Sequence, residues 1–352
     1  MRLGALPDPS LDELLARTSR SFYLSLAVLP ADLRPALAGA YLVARAADTI
    51  ADTRAVSPDR RLDLLSAVHA ALASPADARF REALSGHALL VSAAERALLS
   101  RLDDCLAALA RLDPADAALT RTVLDALLTG MERDLRRFPA EDSGRLGALD
   151  TLADLDEYCW YAAGCVGDYW TRLTAAHVPA LRPLLAPGMI ERGVRLGKAL
   201  QFVNVLRDAA DDLRAGRCYL PREVLARCGL APEDLRDATT RVRARPALEE
   251  LRRLALAHID AAWPYVLAIP WTEPRLRLAA VWPLWIALAT LARLRDAPAP
   301  LDPARRVKIP RAELYLILGE SSALVAASAL LSRAHDRRRR AADAVDVALP
   351  SY

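Results

Sequence analysis

The sequence predicts an all-α fold: a single helical bundle built around a central cavity. Three observations carry that expectation. Alanine and leucine dominate a composition that is 53% apolar, whereas Phe, Trp and Tyr together make up 5% and glycine numbers 14. Good helix formers therefore outweigh residues that favour strands. Apolar residues recur at helical spacing along almost the whole chain, and the segments are parted by Pro- and Gly-containing joints rather than by strand-like alternation. A chain of 352 residues can bury one large core. One all-α domain over residues 1–335 is expected, followed by a polar tail, 336–352, that frays from the run Arg337-Arg338-Arg339-Arg340 onward.

The elements follow in order. A first helix runs from Leu11 to Ala27 and ends near Leu29-Pro30. Pro35 sits where a first turn tolerates a missing N–H and opens the helix that carries Asp48 and Asp52. Periodicity then predicts helices over Asp59–Ala73, Ala78–Leu84, Ala93–Leu112, Ala115–Arg137 and Ala153–Leu173. The same pattern continues over Met189–Ala215, Pro232–Ala244, Pro246–Ala268, Arg275–Arg295 and Arg311–Arg333. No internal repeat or coiled-coil heptad emerges.

Charge and cysteine usage narrow the function. The net charge of +3, from 47 basic and 44 acidic residues, is too balanced to argue for nucleic acid. Five cysteines, Cys105, Cys159, Cys165, Cys218 and Cys228, show no C-x-x-C spacing and imply neither a disulfide framework nor a zinc site. A reducing cytoplasm is the expected compartment, with peripheral contact to a membrane through Arg337–Arg340 as a further expectation. The first residues lack the long apolar core of a secretory signal. The most apolar stretch, Leu278–Ala292, carries Pro283 and is shorter than the roughly 20 residues a spanning helix needs. Leu314–Leu331 is interrupted by Gly319, Glu320, Ser321 and Ser322, so it reads as a packed helix.

Two acidic pairs carry the chemistry. Asp48 and Asp52 stand one helical turn apart, as do Asp208 and Asp212. A single such pair is most often a solvated helix face; the neighbours change that reading. Between Ala36 and Asp52, the polar residues Tyr41, Arg45, Asp48 and Asp52 fall at i, i+4, i+7 and i+11, a narrow stripe without Lys or Glu on an otherwise apolar helix. Gln201, Asn204, Asp208 and Asp212 occupy one quadrant of the second helix, with Arg207 and Asp211 beside them and Phe202, Val203, Val205 and Leu206 on the other sides. Carboxylates in apolar surroundings call for a compensating cation, and two facing pairs would make a hard-oxygen cage suited to magnesium and a substrate diphosphate. Ser19, Arg20, Ser21 and Phe22, together with Arg45, Arg207, Arg217 and Tyr219, supply donors for phosphate oxygens nearby in sequence. Between Tyr158 and Gly167, small residues stand in mid-helix, where glycine costs about 1 kcal/mol relative to alanine. Close helix packing and a smooth wall for a long hydrocarbon, with Tyr158 and Tyr161 at its polar mouth, both explain them.

These segments resemble the squalene/phytoene synthases, the head-to-head prenyl synthases of the trans-isoprenoid synthase fold. The resemblance runs from Ser19-Arg20-Ser21-Phe22 through the Tyr41–Asp52 stripe, Tyr158–Gly167 and Gln201–Asp208 to Gly216-Arg217-Cys218-Tyr219-Leu220-Pro221. It implies that Asp48, Asp52, Asp208 and Asp212 bind magnesium–diphosphate. Tyr41, Arg45, Tyr158, Asp48 and Asp208 are then the catalytic candidates, and Ser19, Arg20, Ser21, Phe22, Gln201, Asn204, Arg207, Arg217 and Tyr219 the substrate-binding ones. Asp48-Thr49 looks like squalene synthases, whereas phytoene synthases usually show two adjacent aspartates there. Lys308-Ile309-Pro310-Arg311 is similar to the basic stretch that helps hold NADPH in squalene synthases and departs from it at Pro310. Lys308 and Arg311 are therefore the candidate NADPH contacts; no G-x-G-x-x-G or P-loop offers another. The five histidines, His69, His87, His177, His258 and His335, fall outside both stripes and are expected to be structural or exposed.

The implied function is squalene synthesis: magnesium-dependent condensation of two farnesyl diphosphates through presqualene diphosphate, then reduction by NADPH, for sterol or hopanoid biosynthesis. A dehydrosqualene or phytoene synthase, which omits the reduction, is the alternative. A non-catalytic assembly or lipid-binding relative is the alternative from another class, and retention of all four carboxylates weighs against it. A cyclising terpene synthase would pair Asn with Ser/Thr and Glu in its second motif, where this chain has Asp208 and Asp212.

Overall fold

The computed structural model describes residues 9–18, 28–53, 56–73, 92–138 and 143–343. Its elements are helical almost throughout. In chain order they are α1 (Pro9–Thr18), α2 (Arg34–Asp52), α3 (Pro58–Ala73), α4 (Ala93–Ser100), α5 (Leu102–Leu109), α6 (Pro114–Arg137), α7 (Leu152–Cys159), α8 (Cys165–His177), α9 (Pro187–Arg214), α10 (Arg222–Ala226), α11 (Ala238–Arg241), α12 (Arg245–Ala268), α13 (Pro274–Asp296), α14 (Arg311–Leu324) and α15 (Ser328–Asp343). Two strands of two residues, β1 (Gly147–Ala148) and β2 (Arg217–Cys218), are the described exceptions. The chain divides into two compact units, residues 1–147 with 160–194 and residues 148–159 with 195–352.

In the first unit α2 packs against α1, α3, α4, α5 and α6. Proline in its first turn starts the helix, and an extended Thr53 ends it. From Ala36 to Asp52 it buries every residue except Tyr41, Ala44, Arg45, Asp48 and Asp52. Leu42, Val43, Ala46 and Ile50 are fully buried, as are Leu64, Leu65, Leu98, Leu102 and Leu124 on the helices packed around α2. Each such large side chain contributes roughly 1.5–3 kcal/mol by leaving water. Gly39 lets Leu109 approach closely, since a Cβ there would lie 2.6 Å from the Leu109 Cδ2 and the leucine side chain would have to shift. Buried Arg34 ties α2 to Asp12 of α1 at 3.2 Å.

In the second unit α13 packs against α12, α14 and α15 around Trp285, Val281, Leu284 and Leu288, with Ile259, Val266, Ile317 and Leu331 from its neighbours. Pro283 does not end α13, which runs for 23 residues. The expectation of a shorter apolar stretch is thus corrected: the helix is long and apolar enough to cross a membrane, but 72% of its most apolar window is already buried by protein.

Four other differences from the sequence reading have local causes. The helix expected over Ala93–Leu112 is two, because Arg101 leaves helical geometry (φ −118°, ψ 16°) and its N–H turns back to Leu98 and Leu99. The region Pro232–Ala244 forms two short 3₁₀ segments around α11 rather than one helix, with Asp237 extended between them and capping Thr239. The helix expected over Arg311–Arg333 breaks after Leu324, although no Gly or Pro stands there. Fully buried Arg277 donates to the Val325 carbonyl at 2.9 Å and to Ser328 Oγ at 2.8 Å, contacts that a continuous helix would compete for. Finally, the four-arginine run does not fray: α15 continues to Asp343, with Arg337 and Arg338 on Glu320 and Arg339 on Asp260.

Candidate active site

The first acidic stripe lies on α2 within the first unit. Its members are the reachable residues of a helix otherwise committed to the core, as the narrow polar stripe requires. Tyr41 donates its hydroxyl to the Thr18 carbonyl at 3.2 Å. Arg45 bridges two acids: Nη1 donates to Asp48, and Nη2 to Glu95 Oε1 at 2.7 Å. Solvent reaches 41% of the Asp48 side chain, while protein crowds its carboxyl from the other side. Desolvation, followed by repulsion from Asp52, pushes that carboxyl up to about 6 despite the attraction of Arg45. Two like charges held one turn apart are the arrangement a divalent cation relieves. Ser19, Arg20, Ser21 and Phe22 lie outside the described residues.

The second stripe lies on α9 within the second unit. Gln201, Asn204, Arg207, Asp208, Asp211 and Asp212 are each part-exposed, and Phe202, Val203, Val205, Leu206, Ala209, Ala210 and Leu213 between them are buried. Arg207 grips Asp208 with two donors, Nε at 2.9 Å and Nη2. That bonding, joined by the charges of Asp208 and Asp212, raises the Arg207 guanidinium above its ordinary value against the cost of its burial. Arg306 reaches the same helix face, with Nη2 3.5 Å from Asp208 and 3.3 Å from Asp211.

Tyr158 joins this stripe. Gln201 Nε2 donates to the Tyr158 hydroxyl at 3.0 Å, and Asn204 Nδ2 donates to Gln201 Oε1 at 3.2 Å. The Tyr219 ring packs on Tyr158 with centroids 4.5 Å apart. Tyr219 arrives there because Gly216, at φ 79°, turns the chain out of α9. The Leu149 N–H then donates to the Cys218 carbonyl at 3.1 Å, and Arg222 N–H to the Leu149 carbonyl at 2.9 Å. Arg217 sits in β2, part-buried. Tyr161 stands in the first unit, where its hydroxyl accepts from Arg133 at 3.0 Å. At Gly167 a Cβ would fall 2.0 Å from the Gly193 carbonyl oxygen, which makes it a packing residue. The chain between α7 and α8, Trp160–Gly164, takes a π-helical turn, a form frequent at functional sites.

Lys308 and Arg311 are both exposed. Lys308 lies in the irregular segment before α14, whose N-cap is Pro310, and Arg311 is its first residue. Of the histidines, His258 stacks on Phe202 at 5.0 Å, His335 on Trp263 at 3.7 Å, His177 pairs with Asp116 and His69 with Asp125; His87 lies outside the described residues.

The oxygen-only donors suit a hard ion. Among the described residues no group of three or more His, Cys, Asp and Glu side chains converges. Each stripe therefore offers a pair of carboxylates rather than a closed cage. Magnesium is commonly held in this way, by one or two carboxylates together with substrate phosphates and water, so the residues fit it. Glu95 and Arg306 were not singled out from the sequence. Glu95 stands in a legible Ser-x-x-Glu helix start, but no local pattern connects it to Arg45, 50 residues away.

The sequence profile of squalene/phytoene synthases matches residues 15–313. The chain belongs to this family. Squalene synthase ERG9 of Saccharomyces cerevisiae is 29% identical over 280 residues, covering 80% of this chain and 60% of that protein. The squalene synthase of Mus musculus is 30% identical over 283 residues, covering 79% and 61%. The chain thus spans about 60% of the length of these curated relatives. Among solved structures, a ligand complex of TcSQS aligns with a TM-score of 0.77 at 24% identity, covering 96% of this chain and 92% of that one. A dehydrosqualene synthase in complex with ligand aligns with a TM-score of 0.61 at 22% identity, covering 90% and 95%. These likenesses establish the all-helical fold of the squalene/phytoene synthases.

Proposed function

We propose that the protein is a squalene synthase, a prenyl transferase that joins two farnesyl diphosphates head to head and reduces the product. The observation that carries the reading is the pair of polar stripes, each the reachable face of a helix whose other sides are buried. The names of the curated relatives and the Asp48-Thr49 sequence favour squalene over phytoene synthesis.

In this reading Asp48 with Asp52, and Asp208 with Asp212, hold magnesium. The metal, when bound, withdraws charge from a departing diphosphate. Arg45 and Arg207 donate to diphosphate oxygens, a charge-assisted contact that strengthens as the leaving group gains charge. Ser19, Arg20, Ser21, Phe22, Arg217 and Tyr219 complete the substrate contacts, with Tyr41 near the reacting carbons. Tyr158 is oriented by Gln201 and Tyr219, so its hydroxyl is delivered at a fixed place. The chain's remaining task is to keep water from allylic cations, which its apolar side chains serve. NADPH, when bound, supplies the hydride of the second half-reaction, and exposed Lys308 and Arg311 would hold its phosphates. The domain comprises residues 1–335 together with the rest of α15. A peripheral place at a cytoplasmic membrane surface fits the apolar substrate and product.

The test is product analysis. Purified protein with farnesyl diphosphate, magnesium and NADPH should yield squalene, and excess chelator should abolish turnover until magnesium or manganese is restored. Dehydrosqualene in the presence of NADPH would transfer the assignment to the non-reducing branch. Turnover of geranylgeranyl but not farnesyl diphosphate would transfer it to phytoene synthesis.

A further inference from the structure

We propose that Glu95 is a positioning residue for Arg45, holding that guanidinium at the first acidic pair in the orientation a diphosphate needs. The inference rests on the reading of Arg45 as a diphosphate ligand and extends it to a residue outside both stripes.

The two oxygens of Glu95 have separate tasks. Oε2 accepts from Ser92 N–H at 3.0 Å and from Ser92 Oγ at 2.7 Å, while Ser92 Oγ accepts from the Glu95 N–H at 3.3 Å, closing the capping box that starts α4. Oε1 accepts from Arg45 Nη2 at 2.7 Å. With one oxygen pinned by two donors, the place of the other is set by the helix start rather than by a free side chain. Hydrogen bonds from Ser92, with the charge of Arg45, hold the Glu95 carboxyl below its ordinary range.

Arg45 is consequently fastened at both ends of its fork, by Asp48 and by Glu95. Its Nε is buried and meets no hydrogen-bond partner among the described residues. Glu95 also decides what happens when Asp48 gives its charge to a divalent cation. With Glu95 present, Arg45 keeps a counter-ion and stays in place. Without it, metal and arginine compete for the same carboxylate. Glu95 therefore separates the metal-binding task of Asp48 from the phosphate-binding task of Arg45.

The capping box supplies the control. Glutamine serves at this helix position as glutamate does, so Glu95→Gln keeps the start of α4 and removes the charge. Ser92→Ala does the reverse. Binding of inorganic pyrophosphate with magnesium, measured by calorimetry, should weaken about tenfold in Glu95→Gln, because the single amide oxygen, kept by Ser92, leaves no acceptor for Arg45. Its Tm should stay close to that of the unaltered protein. Ser92→Ala should lower Tm by about 2–4 °C and, because the residue-92 N–H still holds Oε2, weaken pyrophosphate binding less than Glu95→Gln does. Arg45→Ala should weaken binding at least as much as Glu95→Gln, and Glu95→Gln should add nothing to it. Unchanged or tighter binding by Glu95→Gln, beside a weakened Arg45→Ala, would overturn the positioning role alone. So would full additivity of the two changes. Unchanged binding by Arg45→Ala would remove Arg45 from the diphosphate site and the inference with it.

Discussion

Asp48→Asn should make the protein more stable and nearly inactive at once, a combination that a merely structural aspartate would not produce. The carboxyl of Asp48 is pushed from 3.8 to about 6, first by desolvation and then by Asp52, even with Arg45 attached. A rise of about two units is equivalent to about 3 kcal/mol against the charged form. Solvent reaches 41% of the side chain, so screening reduces the usable figure to about 1 kcal/mol. The sign follows from proton linkage. The folded protein holds this proton more tightly than the unfolded chain, so the cost is absent below pH 4, grows as pH rises through 6 and is complete above 7. Asparagine carries no charge to penalise. Thermal melts should therefore coincide near pH 4 and separate by about 2 °C in favour of the variant at pH 8. Magnesium should raise the Tm of the unaltered protein at pH 8 by more than that of Asp48→Asn, which keeps only the Asp208–Asp212 pair, since binding to the native state alone stabilises by mass action. Turnover should fall by at least about 100-fold, the scale of losing a group that stabilises charge in the transition state. A variant less stable than the parent at pH 8 would refute the electrostatic argument. Near-normal turnover would refute the metal role.

Gly167→Ala should destabilise by about 2 kcal/mol or more, because its methyl would meet the Gly193 carbonyl oxygen at 2.0 Å; a Tm matching the parent's would contradict that packing. His335, 2% exposed, is lowered by burial to about 4. Its contribution is complete above pH 6.5 and is lost as pH falls from 6.5 to 4, about 3 kcal/mol in all. His335→Phe should keep the stack on Trp263 and flatten the acid limb of a Tm–pH curve in that window; an unaltered limb would mean that other groups set it. Replacing Lys308 and Arg311 together by alanine should spare presqualene diphosphate formation and suppress squalene. Loss of both half-reactions would make the segment structural, and undiminished squalene would place the nicotinamide elsewhere.

Much of the site was legible because its signal is periodic. Tyr41, Arg45, Asp48 and Asp52 needed only the helical repeat to be grouped, and burial of the residues between them, Ala44 apart, follows from the same repeat. The Gln201–Asp212 stripe is the second case, and Gln201 and Asn204 do bond to each other as neighbours on one face. The partners of these stripes were not legible. Glu95 meets Arg45 across 50 residues and Arg306 meets Asp208 across 98. Locally, Glu95 reads only as a helix-start residue and Arg306 as one more basic residue.

The amino-acid sequence alone determined the helical class, the approximate reach of most helices and the face each acidic helix reserves for polar groups. Those properties depend on residues within a few turns of one another, where propensity and periodicity act directly. Tertiary structure decided where helices stop when no Gly or Pro stops them. Buried Arg277 claims the Val325 carbonyl and Ser328 across 48 and 51 residues, and the helix yields because a buried guanidinium without acceptors costs more than a few lost backbone bonds. Tertiary structure likewise turned a run of four arginines into the end of a helix, by setting Glu320 and Asp260 opposite three of them. A charge has no partner until the fold brings one near, and that is information no local window contains.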